Sequence, residues 1–481
     1  MQYRYTLHGL HFKSGLELMQ AFATLPDGVN FLDLSYNSFG NKSSAELAQA
    51  FAALPASVHS LDLKNNFLGN KSGAELAQAF KALPGSVYAL HLSFNALDKK
   101  SGAELAQAFA ALPDGVLSLD LTGNYLGNKS AAELAQAFAA LSTSVHSLNL
   151  SFNTLNKKSG AELAQVFAAL SDGVHSLDLT GNYLGNKSAA ELAQAFTALP
   201  TSVHSLNLSG NSLDRKSGAE LAQAFAALPD GVHSLDLIGN YLGNKSGAEL
   251  AQAFAALPAS INSLNLSGNS LGKKSGAELA QVFAALPDGV HSLDLSSNYF
   301  GNKSAAELAQ AFAALPASVH SLNLSGNSLG KKSGVELAQA FAALPDGVHS
   351  LDLSGNSLNQ IPLEELNNLS NSLSKIETIT LSECEIRQMK QINRAALKAI
   401  FPNIKTIILL DDSGAIKGGN DLEARHYFAS KQGLTKTPPS LKSNVAAFFA
   451  HHKEFYEHNK DLLPEELQQF TQHFKRNHYA C

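Results

Sequence analysis

The sequence predicts an α/β repeat solenoid, a stack of strand-loop-helix units, and three observations carry that prediction. Asparagine recurs at one constant interval, the step from Asn37 to Asn66, and does so without slippage through Asn95 and Asn124 to Asn356, twelve positions in all. Each period holds one stretch of alternating leucines and one stretch with helical spacing. Nearly every helical stretch opens on the same start signal, serine followed three places later by glutamate. A fixed period in the range of roughly 20 to 50 residues marks units that bury their faces only against neighbours.

The elements follow in order. Tyr3, Tyr5, His8 and Leu10 occupy the strand, ladder and turn positions one period before Asn37, so residues 1–29 read as an irregular capping repeat. The unit Ser60 to Tyr88 typifies the array of residues 30–412. Val58, Leu61, Leu63 and Leu68 around Asn66 spell a short strand with alternate residues inward, then a turn into the core. Leu76, Phe80 and Leu83 recur at i, i+4 and i+7 and make a one-sided helix. Ser72 and Glu75 form its capping box, repeated from Ser14/Glu17 to Ser333/Glu336, and Pro84 stops it. The pattern continues beyond Asn356 at a shorter step: Ile379, Leu381, Cys384 and Ile386, then Ile407, Leu409, Asp412 and Gly414, with Cys384 at the ladder position.

The segment V-x-x-L-x-L-x-x-N-x-L resembles the leucine-rich repeat family. Within it the likeness is to the ribonuclease-inhibitor-like class, whose repeats run to about 28 to 29 residues. The resemblance implies a horseshoe with parallel strands on the concave face and helices on the convex face, plus a small C-terminal helical segment. It also implies that the asparagines form a ladder bonding otherwise unpaired backbone groups. Strand stacking at about 4.8 Å beneath helices about 10 Å across agrees with such curvature.

Composition narrows the function classes. The chain has 481 residues and a net charge of −6, without a nucleic-acid bias. No apolar run is long enough for a membrane span, and no secretory leader pattern opens the chain. Two cysteines, Cys384 and Cys481, make no disulfide framework. Sequons such as Asn41-Lys-Ser43 fall on cap and strand positions and are expected to stay unmodified. The expectation is a soluble, monomeric, intracellular-type chain without a cofactor or a bound metal.

Three columns invite chemical readings. His59, His146, His175, His204, His233, His291, His320 and His349 recur at the strand entrance, where imidazoles about 5 Å apart resist joint protonation but do not converge on one metal. Lysines before the helix caps, such as Lys71, Lys273 and Lys274, are expected to form a solvated basic ridge open to anions. Gly268 to Ser275 glances at a phosphate loop but has the wrong spacing. The residue between the strand leucines alternates Asp120, Asn149, Asp178, Asn207 and onward, with carboxylates about 10 Å apart, too far for a paired acid/base site.

That alternation reveals a second period of twice the length, with Tyr125, Tyr183, Tyr241 and Tyr299 in every second unit. Near-identical copies are scaffold, so departures from the consensus carry more information. Tyr36, Phe94 and Phe152 stand before the ladder asparagine, Tyr88 and Leu117 interrupt the histidine column, and His91 replaces Asp or Asn. These six residues are the expected protein-binding hot spot, since interfaces concentrate their energy in a few large side chains.

Beyond Asp412 the period ends. Ile408 and Leu410 are apolar where the array is polar, so the C-terminal segment 413–481 is expected to cover the concave surface there. Its expected helices run over 421–430, 440–459 and 464–478, with His451, Glu454 and His458 on one face as a weak metal motif. The tandem units and extra C-terminal helices resemble leucine-rich-repeat effectors of intracellular bacterial pathogens such as Legionella. Glu465 and Glu466, followed by Phe474 to Cys481, are similar to type IV translocation signals of that group. The resemblance implies a non-enzymatic effector made in the bacterial cytoplasm, delivered into host cytoplasm, and binding a host protein through its concave face. An alternative is an adaptor whose C-terminal helices recruit a second protein. An enzyme is disfavoured because no nucleophile, base and orienter stand outside the consensus.

Overall fold

The computed structural model describes residues 3–369, 372–390, 394, 401–435, 439–451, 464, 467–468 and 471. Among the described residues fifteen strands follow one another in chain order. They fall into two compact units, Met1–Tyr241 with Gln252–Ser263, and Leu242–Ala251 with Leu264–Cys481.

In the first unit parallel pairing runs without a register break from Arg4–Thr6 to Ser234–Asp236. In the strands after the first, the central leucine points inward and is more deeply buried than its flanking residues, as Ser118-Leu119-Asp120 illustrates. Val58, Leu61, Leu63, Leu68, Leu76, Phe80 and Leu83 all lie in the core, so strand, turn and helix of one repeat close on the same apolar layer. The second unit repeats this arrangement up to Thr406–Leu410.

The asparagine ladder is present and fully buried. Asn66 donates through Nδ2 to the Leu34 carbonyl at 2.9 Å, while Asn95 Oδ1 accepts from the amides of Asn66 at 2.9 Å and Leu68 at 3.2 Å. Turn amides that no strand partner can reach are thereby satisfied across the repeat boundary. The ladder ends differently from the expectation. Glu385, not Cys384, takes the amides of Asn356, Ser357 and Leu358, with Ser357 at 2.5 Å. A helix, Glu383–Gln388, starts directly after the strand Thr378–Ser382 and moves the inward direction by one residue. Burial pushes the Glu385 carboxyl above its ordinary range despite those three donors.

The expected solvated lysine ridge is also corrected. Lys71 is only 2% exposed, and its Nζ donates to the carbonyl of Lys42 in the preceding repeat. Lys187 Nζ does the same to Lys158 at 2.7 Å and reaches Glu191 Oε1 at 2.9 Å. Lys42, Lys71, Lys129, Lys187 and Lys303, each next to a cap, therefore run inward to the preceding repeat, their stems covering apolar surface. The capping glutamates close the helix starts to outside anions. Glu104 binds its own Ser101 amide at 2.9 Å and the Gly73 amide of the previous helix at 3.2 Å. Chiefly through the Ser101 amide bond, its carboxyl is held down at about 2. Outer lysines such as Lys273 remain exposed and bond Asn244.

The C-terminal segment closes the end of the last strand. Lys417 donates its amide to the Leu409 carbonyl at 2.8 Å, and Leu410 bridges Ile416 in antiparallel fashion. The helix Leu422–Lys431 packs on that strand, and Leu441–His451 packs on the helix in turn. Ile408 and Leu410 stay half-buried. Glu383 is buried between Lys417 at 3.1 Å and Arg387 at 2.8 Å. The helices expected from 421 and 440 begin one residue later, at Leu422 and Leu441. Of the helix expected over 464–478 only residues 464, 467–468 and 471 are described, and the motif Glu454/His458, with Glu465, Glu466 and Phe474 to Cys481, lies outside the described residues.

Candidate functional site

Each strand sends two side chains out of the sheet, and the turn after it sends further residues along the rim. The six expected hot-spot residues all belong to the first unit and sort into two columns with His91 between them.

Tyr88 and Leu117 stand side by side at the strand entrance, where the Leu117 amide donates to the Tyr88 carbonyl at 2.8 Å. The Tyr88 ring lies 5.6 Å from that of His59. They interrupt a stacked histidine column whose ring centroids are 4.9 to 5.4 Å apart from His146 to His233. Each of these imidazoles approaches a backbone carbonyl of the next repeat through Nδ1, as His146 does to Gly173 at 3.0 Å. A carbonyl only accepts, so Nδ1 carries the hydrogen and Nε2 is left facing away.

Tyr36, Phe94 and Phe152 occupy the turn column, with φ of 60°, 55° and 55°, where most other repeats use glycine and two use Asn65 and Ser297. They are separated from one another by two repeats. The reason a bulky side chain is tolerated is visible at the next unit: a Cβ added to Gly123 would lie 2.5 Å from the Phe94 ring, and one on Gly181 would lie 2.4 Å from that of Phe152. Each ring rests on bare backbone, yet Phe94 remains 40% exposed and Phe152 53%. Lys64 Nζ sits 5.1 Å above the Phe94 ring.

His91 shares its register position with Asp62 and Asp120. Its Nε2 is 3.3 Å from Ser60 Oγ and its Nδ1 is 3.6 Å from Asp120 Oδ2, the latter an electrostatic contact rather than a hydrogen bond. Burial raises the Asp120 carboxyl, but His91, Ser93 at 2.6 Å and Thr122 at 2.5 Å outweigh it and bring it down to about 2. Serine, histidine and aspartate in this order suggest a nucleophile relay. Ser60 is only 4% exposed, however, and the surrounding amides of Ser60, Ala89 and Leu92 already donate to strand carbonyls, leaving no donor pair for an oxyanion. The network therefore orients His91 on the sheet face.

Sequence reasoning misses Phe67 and the Ser60 and Asp120 contacts. Phe67 is 52% exposed, at the turn position also held by Tyr125 and Tyr183. The step from Tyr36 to Phe67 equals the step from Phe94 to Tyr125, and that equality is the signal that finds it.

Comparison with known proteins bears on this geometry. The crystal structure of the leucine-rich repeat-containing protein LegL7 from Legionella pneumophila is similar at 43% identity and a TM-score of 0.57, covering 64% of this chain and 96% of that one. This chain belongs to the leucine-rich repeat family. The Leucine Rich Repeat family model matches residues 347–369 of the leucine-rich repeat array. A chain of the crystal structure of the Rad7 and Elc1 complex in yeast is similar at 16% identity and a TM-score of 0.40, covering 86% of this chain and 93% of that one. No curated protein matches the leucine-rich repeat chain in sequence. Among the described residues no helix is long and apolar enough to cross a membrane, and no group of three ligating side chains could hold a metal.

Proposed function

We propose that this leucine-rich repeat protein is a non-enzymatic recognition scaffold, a bacterial effector that binds a host protein through the sheet face and rim of its first repeats. The observation that carries the reading is the set of large exposed side chains in one region. Tyr36, Tyr88, Phe94, Leu117 and Phe152 are all exposed beside the oriented His91. Exposed apolar groups of this density on an otherwise polar repeat surface fit a protein interface. The likeness to a Legionella leucine-rich repeat protein supports the effector reading. On this reading residues 1–29 cap the array, 30–412 present the surface, and 413–481 close the end and carry the delivery signal. The protein passes from the bacterial to the host cytoplasm as a monomer.

The test is affinity capture from host lysate by the full chain and by a Tyr88→Ala/Phe94→Ala variant with the same melting temperature. Retention of the captured partner should fall by about tenfold or more in the variant, the scale of a hot-spot loss. Equal retention by both chains would refute this surface.

A further inference from the structure

Three composite subsites recur in the first unit at a strict spacing of two repeats. They group Tyr36 and Phe67 with Asp62, Phe94 and Tyr125 with Asp120, and Phe152 and Tyr183 with Asp178; the amides of Tyr36, Phe94 and Phe152 donate to the carbonyls of Lys64, Thr122 and Thr180, whose own amides bond those aspartates. The paired aromatics alternate between the turn positions before and after the ladder asparagine, so each of the first six ladder asparagines has one exposed ring next to it in sequence. Successive subsites are two strand spacings apart, about 9.6 Å.

The chain itself shows a cation on a ring next to this aspartate column, at a strand residue and not at a turn aromatic. Arg4 lies over the Phe31 ring at 4.5 Å and bonds Asp33, in the same aspartate column, at 2.5 Å. Lys64 over Phe94 is a second internal cation on a ring. Asp62 and Asp178 are bonded through Oδ1 to the turn residues Lys64 and Thr180, and among the described residues no ion pair to a cationic side chain involves either.

We propose that this surface takes a polyproline II segment bearing arginine or lysine at every third residue, lying across the strands. One turn of that helix advances about 9.3 Å in three residues, close to the subsite step. A β-strand of similar rise would need backbone partners, whereas polyproline II is complete without them. Proline rings pack on aromatic side chains, and guanidinium adds cation-π attraction. The proposal rests on the protein-recognition reading above and names its ligand.

The probe is a fluorescein-labelled peptide of four Arg-Pro-Pro triplets, followed by anisotropy with the full chain. Its controls are four Glu-Pro-Pro triplets and four Arg-Pro-Pro-Pro quartets, the latter having the same charge at a step of about 12.4 Å. The triplet arginine peptide should bind about tenfold or more tightly than either control, and Tyr125→Ala/Tyr183→Ala should weaken it by a similar factor. Asp178→Asn, which keeps the Oδ1 acceptor, should weaken it as well and guards against misfolding of the double variant. Equal affinity for triplet and quartet peptides, absence of binding, or unchanged binding by the variants would overturn the proposal. If lysate capture depends on Tyr88 and Phe94 while no peptide binds, only the ligand assignment fails. If the triplet peptide binds as expected while lysate capture is indifferent to Tyr88 and Phe94, it is the hot-spot assignment that fails.

Discussion

Asn124→Ala tests the ladder in the interior of the first unit. Asn124 Nδ2 donates to the carbonyls of Leu92 at 2.9 Å and Leu121 at 3.0 Å, and its Oδ1 accepts from the amides of Asn95 at 2.9 Å and Leu97 at 3.3 Å. The side chain is fully buried, so water does not take over these bonds. A buried polar group left without a partner costs about 1–3 kcal/mol. Taking ~1 kcal/mol for each of the four groups gives about 4 kcal/mol, or roughly a thousandfold in a local opening equilibrium. Amide hydrogen exchange followed by mass spectrometry measures this directly. Exchange in residues 92–98 should accelerate about a thousandfold, while the turn at Asn211 keeps its protection because repeat stability is a nearest-neighbour quantity. An acceleration of less than about tenfold would show that the ladder bonds contribute far less than this reckoning.

Two further outcomes follow from the same geometry. Lys187→Met removes the donor to Lys158 and the partner of Glu191, whose carboxyl is held at about 2 first by the Ser188 amide and then by Lys187. A depressed carboxyl stabilises above its ordinary range and loses that contribution as pH falls toward its folded value, so the variant should unfold at higher pH on the acid side; an unchanged acid midpoint would return Lys187 to the solvated surface. Glu385 has the opposite sign: burial raises its carboxyl, so its contribution is full below the ordinary value and is lost as pH rises through the raised one. Glu385→Gln keeps the amide acceptor and should raise the melting temperature near neutral pH but not under acidic conditions, where equal shifts at both would contradict the assignment.

Much of the repeat is legible because its rules are local. Capping serines, helix-stopping prolines and leucine alternation act within a few residues, and the observed boundaries agree with them. The lysine column defeats such reading because its burial depends on a carbonyl one full repeat away, which no short window contains. Counting puts Cys384 on the ladder, but the helix that begins at Glu383 turns Glu385 inward in its stead. The hot-spot residues are findable as departures from consensus. That Tyr88 meets Leu117 while Phe94 and Phe152 stand two repeats apart, each on a glycine, depends on register and turn conformation.

The sequence by itself determined the leucine-rich repeat, its unbroken period, the buried asparagine at each turn and the start of each helix, since these arise from contacts repeated identically at every unit. Only the tertiary structure decided which polar side chains are spent inside the molecule and which face outward. Lys71 and Glu104 are consumed in bonds between repeats, whereas Phe67, Tyr125 and Tyr183 are left exposed. The physical reason is that a side chain's partner in a stacked array belongs to the neighbouring repeat, so its availability is set by the stacking of whole units and not by its own local sequence.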